Sequence, residues 1–180
     1  MEVTIRAIQE DELPLFSSIL LEGARWLAER GMTMWSEEQV AAEKLMKNHR
    51  MHEMMIGYYD GEPAAVMILQ EADAVMWPED PPGEALYLHK LCVRRSFAQT
   101  GLSQAMIDWA KLEAKQANKR YVKLDCAADR PALVSFYTRQ GFLKVNERLM
   151  SANTLLLFWN INYSKEMLCY NNRLINLLLP

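Results

Sequence analysis

Between Ala85 and Val145 the sequence switches hydrophobic period four times, and that switching constrains the fold more than any other feature. Ala85 to Val93 is an apolar run of strand length. Leu102, Ala105, Met106, Trp109 and Leu112 then recur at helical spacing, Tyr121 to Cys126 is strand-like, and Pro131 to Gln140 reads as a helix that Gly141 ends. Phe142 to Val145 supplies a further strand. A strand–helix–strand–helix–strand run implies partly parallel pairing, because parallel neighbours need a crossover.

The residues before this run add antiparallel structure. Val3 to Ile8 alternates in the strand sense, and Asp11 is placed to cap a helix with Pro14 near its first turn. Leu13, Phe16, Leu20, Ala24 and Leu27 form one apolar stripe, stopped at Gly31. Ser36-Glu37-Glu38-Gln39 has capping-box spacing and predicts a second helix to about Lys47. Met54 to Tyr59, Asp60-Gly61 and Ala64 to Leu69 predict a hairpin. Trp77-Pro78-Glu79-Asp80-Pro81-Pro82-Gly83 predicts a loop.

With one more strand at Leu155 to Ile161, the order is β-α-α-β-β-β-α-β-α-β-β, a mixed α/β sheet in a single domain over residues 1–162. Residues 163–180 form an extension too apolar for a free tail. Two roles fit it: covering a sheet edge, or a homodimer contact.

Composition narrows the function classes. Twenty basic against 23 acidic residues give a net charge of −3, so a polybasic nucleic-acid binder is excluded. No apolar run reaches the ~18–20 residues that span a bilayer, so no membrane partner is expected. The start alternates rather than forming a basic and then apolar leader, so no export is expected. Cys92, Cys126 and Cys169 form no C-x-x-C pair, and His49, His52 and His89 complete no metal-ligand spacing. The expectation is a cytoplasmic protein without a metal, its cysteines acting as small hydrophobes.

Two junctions carry candidate chemistry. In the first, Val93 leads through Arg94, Arg95 and Ser96 to Gly101-Leu102-Ser103 at a helix start. Orphan amides and the positive dipole end attract anions there; Gly101 permits close backbone approach, Ser103 offers a hydroxyl, and Arg94 or Arg95 adds charge. A simple strand–helix turn is the alternative. In the second, Leu133 and Phe136 are expected on the buried stripe of their helix, with Tyr137 about 100° further round. Tyr137 then either points its hydroxyl at a cleft or packs half-buried.

Together, Leu88-His89-Lys90-Leu91-Cys92-Val93 with Gly101-Leu102-Ser103, and Asp129-x-x-Ala132-x-x-x-Phe136-Tyr137-x-x-x-Gly141-Phe142, resemble the core of the GNAT superfamily of acyl-CoA N-acyltransferases. The resemblance covers residues 1–150 in topology and about 60 residues in motif. It implies the GNAT-like fold, with acyl-CoA lying between the strands that end near Val93 and Cys126. It also implies acetyl-CoA as co-substrate, pantetheine paired with the backbone of Leu91, Cys92 and Val93, and pyrophosphate on the amides of Thr100, Gly101, Leu102 and Ser103. Tyr137 falls where the family keeps a general acid near the thioester sulfur. The chain departs from the family's Arg/Gln-x-x-Gly-x-Gly/Ala loop in reading Ala98-Gln99-Thr100-Gly101-Leu102-Ser103. Backbone donors do not depend on those side chains.

Acyl transfer from a thioester needs an uncharged amine, an oxyanion donor and a proton for the thiolate. A backbone N–H near Leu91 or Cys92 suits the oxyanion. Strand alternation puts Tyr87, His89 and Leu91 on one face and Leu88, Lys90 and Cys92 on the other. His89 has the intrinsic pKa of a base; Asp125, Glu84 and a water chain are alternatives, as is a structural role for the histidine.

The resemblance implies a small-molecule or peptide amine as the acceptor. Trp35 and Trp77 are expected to wall its pocket, with Trp26, Met32 and Met34 as further candidates against a packing role. Glu79 and Asp80 either attract a cationic amine or stay solvated. The competing readings are a non-catalytic acyl-CoA-binding or regulatory module with a decayed loop, and an interaction protein that uses its apolar extension.

Overall fold

The computed structural model describes residues 2–150 and 154–163. Its elements are β1 (Val3–Ala7), α1 (Leu13–Ala28), α2 (Glu37–Val40), α3 (Ala42–Asn48), β2 (Met54–Tyr59), β3 (Glu62–Gln70) and β4 (Ala85–Val93). There follow α4 (Leu102–Gln116), β5 (Tyr121–Ala127), α5 (Pro131–Arg139), β6 (Leu143–Leu149) and β7 (Leu155–Asn162). This is the mixed α/β order expected from the sequence, with the second helix divided in two. The extension at 163–180 lies outside the described residues apart from Tyr163.

Two compact units result. One holds the described residues up to Gln70 together with Leu88–Trp109; the other holds Glu71–Tyr87 and the described residues from Ala110 onward.

In the first unit the strands neighbour one another in the order β1-β2-β3-β4. β1 and β3 both pair antiparallel with β2. The predicted hairpin forms, with Asp60 at φ 48° and Gly61 at φ 83°, two left-handed residues that turn Tyr59 back onto Glu62. Phe16, Leu20 and Ala24 of the predicted stripe are buried, joined by Ile19, and they pack with Val40, Leu45, Ile56, Val66 and Ile68.

Two expectations change here. Asp11 is not a helix cap: Gln9 caps a short 3₁₀ turn over Glu10–Glu12, and α1 starts only at Leu13, with Pro14 in its first turn. The second helix keeps its Ser36–Gln39 capping box but breaks at Ala41, whose backbone is extended (φ −64°, ψ 144°). The break lets Val40 bury fully, and the Ser17 hydroxyl donates to the Val40 carbonyl at 2.7 Å. A side-chain donor from α1 thus satisfies a carbonyl that a continued helix would have bonded.

In the second unit the order is β4-β5-β7-β6. The first residues of β4, Ala85–Tyr87, run parallel to Tyr121–Lys123 of β5, as the crossover requires. β7 pairs antiparallel with β5 on one side and β6 on the other. Sequence order alone puts β6 beside β5; composition explains why β7 takes that place. Leu157, Phe158 and Trp159 of β7 are buried, whereas β6 carries Lys144, Asn146, Glu147 and Arg148 and is exposed along most of its length. The apolar strand fills the interior and the charged one takes the edge. In α4 the buried row is Leu102, Met106, Ile107, Ala110 and Ala114, and the expected Leu112 is 50% exposed. Small residues continue that stripe, so size misleads a reading based on hydrophobicity.

The loop before β4 is pinned to its own unit. Lys123, only 6% exposed, donates to Asp80 Oδ2 at 2.6 Å, and its ammonium lies 4.7 Å from the Trp77 ring centroid and 4.9 Å from that of Tyr121. Tyr87 donates its hydroxyl to the same carboxylate at 2.7 Å. Asp80 is therefore neither a solvated loop acid nor free to attract an amine; it neutralises a buried lysine. Glu84 likewise faces Arg120, at 3.4 Å.

Removing Asp80 alone strands a buried ammonium. Asp80→Ala is expected to destabilise by about 3–5 kcal/mol. The double variant Asp80→Ala/Lys123→Met should recover most of that loss in urea denaturation, because it removes the uncompensated charge as well.

Candidate active site

The first junction is built on a glycine inside a helix. Gly23 of α1 faces Cys92 of β4 so closely that a Cβ there would lie 2.5 Å from the Cys92 sulfur. Cys92 donates its thiol to the Ile19 carbonyl at 3.4 Å, and burial together with the Glu22 carboxylate pushes its pKa up to about 12. It is an inert packing thiol, as expected for a small buried hydrophobe.

Of the two arginines that follow, Arg94 has its guanidinium engaged within the fold, whereas Arg95 is exposed and is held through its amide and the face of its guanidinium. Arg94 donates to Glu22 at 2.8 Å, to the Pro63 carbonyl at 3.1 Å and to the Ser18 hydroxyl at 3.3 Å. The Arg95 amide donates to the other Glu22 oxygen at 2.7 Å, and its guanidinium stacks over Trp26 with its central carbon 4.0 Å from the ring centroid. Arg30 covers the same indole at 4.2 Å, so Trp26 serves as a platform for two cations. Glu22 and Gly23 thus fix where the loop begins. The one signal for them was a lone glycine and an acid inside an otherwise regular helix.

Beyond Arg94 the chain makes a 3₁₀ turn over Arg95–Phe97, passes through Gln99 at φ 67° and Gly101 at φ 85°, and enters α4 at Leu102. Gln99 holds a left-handed conformation that a side-chain-bearing residue adopts only at a small strain. The Thr100 hydroxyl and amide both turn to the Phe97 carbonyl, at 2.7 and 3.5 Å. The first backbone bond of α4 runs from the Ala105 amide to the Gly101 carbonyl at 3.1 Å, leaving the amides of Leu102 and Ser103 at the open N-terminal turn. A Cβ at Gly101 would meet nothing within 4 Å, so the backbone there is accessible.

Within β4, Lys90 adopts φ 51°. A left-handed residue interrupts the pleat, so the strict alternation expected from Tyr87 to Cys92 does not carry past it. His89 and Lys90 are half-buried and close enough to His49 for their charges to lower its pKa, although burial is the larger cause. The Lys90 ammonium lies 5.1 Å from the Trp35 ring centroid. Trp35 is half-buried against the first unit's core, and Met32 and Met34 are half-buried beside it in sequence.

The second unit holds the other candidates. Tyr137 is 7% exposed, whereas Leu133 and Phe136 are only partly buried; the tyrosine, and not its neighbours, occupies the inward position of α5. Its ring meets Phe142 edge-on at 5.9 Å and Phe136 at 5.4 Å. Burial first, then Cys126 and Asp125, raises its pKa well above the ordinary phenol range. The hydroxyl therefore keeps its proton at neutral pH, the state an acid or hydrogen-bond donor requires. Trp77 packs among Tyr87, Ala85 and Phe158 with 8% exposure, so its ring is used in packing the second unit.

The structure therefore gathers Leu91–Val93, Thr100–Ser103, His89 and Trp35 in the first unit, and Tyr137, Asp125 and Trp77 in the second. Among the described residues, no helix is long and apolar enough to cross a membrane.

Comparison with known proteins adds the following. A model of the Acetyltransferase (GNAT) family matches residues 17–142. The uncharacterized N-acetyltransferase YesJ of Bacillus subtilis strain 168 is 34% identical over 149 residues, covering 76% of this chain and 78% of that protein. A GNAT-family acetyltransferase from Listeria monocytogenes 4b F2365 superposes with a TM-score of 0.72 at 22% identity, over 91% of this chain and 96% of its own. PaiA N-acetyltransferase from Thermoplasma acidophilum, solved in complex with coenzyme A, gives a TM-score of 0.65 at 14% identity, over 91% of this chain and 100% of its own.

The seat of α1 on β4 predicts coupling between Gly23 and Cys92. Gly23→Ala gains up to about 1 kcal/mol of helix propensity but overpacks the contact by about 1–3 kcal/mol. A net loss in thermal or urea denaturation is therefore expected. In a Cys92→Ala background the same substitution should become neutral or stabilising.

Proposed function

The chain belongs to the Acetyltransferase (GNAT) family, and from that premise we propose that it transfers acetyl from acetyl-CoA to a primary amine of a small molecule or peptide by direct attack. The observation that carries the reading is the family match over residues 17–142. It spans β4, the loop into α4 and the helix that bears Tyr137. A family of acetyltransferases sets aside the non-catalytic module as the leading alternative. Coenzyme A in the Thermoplasma relative supports the choice of donor.

The backbone of Leu91, Cys92 and Val93 pairs with the pantetheine arm. The amides of Gly101, Leu102 and Ser103 hold the pyrophosphate, with Thr100 contributing less because its amide is already turned to Phe97. These are backbone donors, so the engaged state of Arg94 and Arg95 does not remove them. His89 takes the proton from the acceptor ammonium, directly or through water, and the free amine attacks the thioester carbonyl. The new C–N bond forms, the C–S bond breaks, Tyr137 donates toward the departing sulfur, and the second amine proton that the new amide sheds passes through water to restore the phenol. A thiolate of ordinary pKa ~8.5 is a weaker base than phenolate. Tyr137 therefore stabilises the sulfur as a hydrogen-bond donor, and its proton crosses only in concert with the loss of the second amine proton that restores the phenol. Trp35 walls the acceptor, and the reducing cytoplasm suits the free thiols.

Acetyl-CoA at a hundred times its dissociation constant should stabilise the chain by about 2.7 kcal/mol, which is several degrees at roughly 2–4 °C per kcal/mol. Adenosine should give no comparable shift. Tyr137→Phe should keep the acetyl-CoA shift and lose about a hundredfold or more in kcat. An unchanged kcat in Tyr137→Phe would overturn the assignment.

A further inference from the structure

We infer that Lys90, together with His49 and Trp35, forms a recognition site for a carboxylate on the acceptor, so that the amine this enzyme acetylates also carries a free acid group. The inference rests on the acetyltransferase reading and names the acceptor class for it.

The geometry lies within the first unit. Lys90 sits at φ 51°, a conformation that costs a side-chain-bearing residue about 1 kcal/mol or more. That turn sets its ammonium over Trp35, 5.1 Å from the ring centroid. Among the described residues Lys90 has no ion-pair partner, and its half-buried position disfavours the charged form. A desolvated ammonium held over one indole and left without a counter-ion is an unusual expense for a strand to bear, and a ligand anion would supply the missing partner.

His49 stands beside it. Its Nδ1 is buried and meets no hydrogen-bond partner among the described residues. The acid on this side, Glu53, already accepts from the Arg50 amide at 2.7 Å and from Gln70 at 3.4 Å. The surplus here is therefore of donors, the Lys90 ammonium and the unpartnered His49 Nδ1.

A carboxylate fits that surplus better than a phosphate does. One ammonium and one imidazole match two oxygens and a single negative charge. The fork of a guanidinium and the open amides of a helix start, which phosphate sites gather, are absent from this group of residues. Trp35 offers an apolar floor for the carbon skeleton between the acid and the amine.

The test uses the full chain and two acceptor panels: free L-amino acids, and the same amines as carboxamides. With acetyl-CoA, the acids should show a KM lower by about tenfold or more at similar kcat. Lys90→Met should erase that preference, and Lys90→Arg should keep part of it, while both variants retain the acetyl-CoA thermal shift. A native enzyme that treats acids and carboxamides alike, or a Lys90→Met enzyme that still prefers the acids, overturns the inference. If acetyl-CoA gives no shift at all, it is the acetyltransferase reading that fails. Calorimetric titration with the two panels then still decides the anion site. Binding of the acids that vanishes in Lys90→Met supports it, and equal or absent binding of acids by the native chain overturns it.

Discussion

The close seat of α1 on the end of β4 is the constraint on which the first unit depends. A helix approaches a strand this tightly only where one position lacks a Cβ, and Gly23 is that position. Cys92 fills the space, and the neighbouring Glu22 then reaches both Arg94 and the Arg95 amide. One carboxylate so placed fixes the direction in which the chain leaves β4. The left-handed residues Gln99 and Gly101 complete the turn, and α4 starts with its amides open. The proposed cofactor loop is thus a consequence of helix packing, not of the loop's own side chains. The loop's path therefore depends on α1 more than on the side chains of Ala98 and Gln99.

The second unit is organised around a different interaction, the Lys123–Asp80 pair between aromatic rings. It ties the proline-rich loop to β5. A buried pair of this kind adds little net stability compared with an apolar core, but it tolerates few alternatives, since any other placement of the loop leaves the lysine unpaired. Tyr137 in the same unit is buried and held in its protonated form by its surroundings.

Much of the fold was legible in the sequence because local signals carried it. The Asp60-Gly61 hairpin, the Ser36–Gln39 capping box, the α1 stripe and the period changes after Ala85 all act over a few residues, and all appear as expected. What was not legible depends on partners distant in sequence. The insertion of β7 between β5 and β6 follows from which strand is apolar enough for the interior. The break at Ala41 follows from the burial of Val40 and from the hydroxyl of Ser17. Burial of Tyr137 rather than Leu133 and Phe136 depends on how α5 is rotated, which its short sequence does not specify. Within the candidate site, the motif residues were readable, but the engagement of Arg94 and Arg95 and the turn at Lys90 were not. Each is set by a contact with α1 or by a single backbone angle.

Hydrogen–deuterium exchange of the backbone amides, with and without acetyl-CoA, tests the central claim most directly. Added protection at Leu91–Val93 and at Gly101–Ser103 is the predicted result, since those amides are assigned to the cofactor. Tight binding of acetyl-CoA with exchange unchanged in both segments would contradict the account.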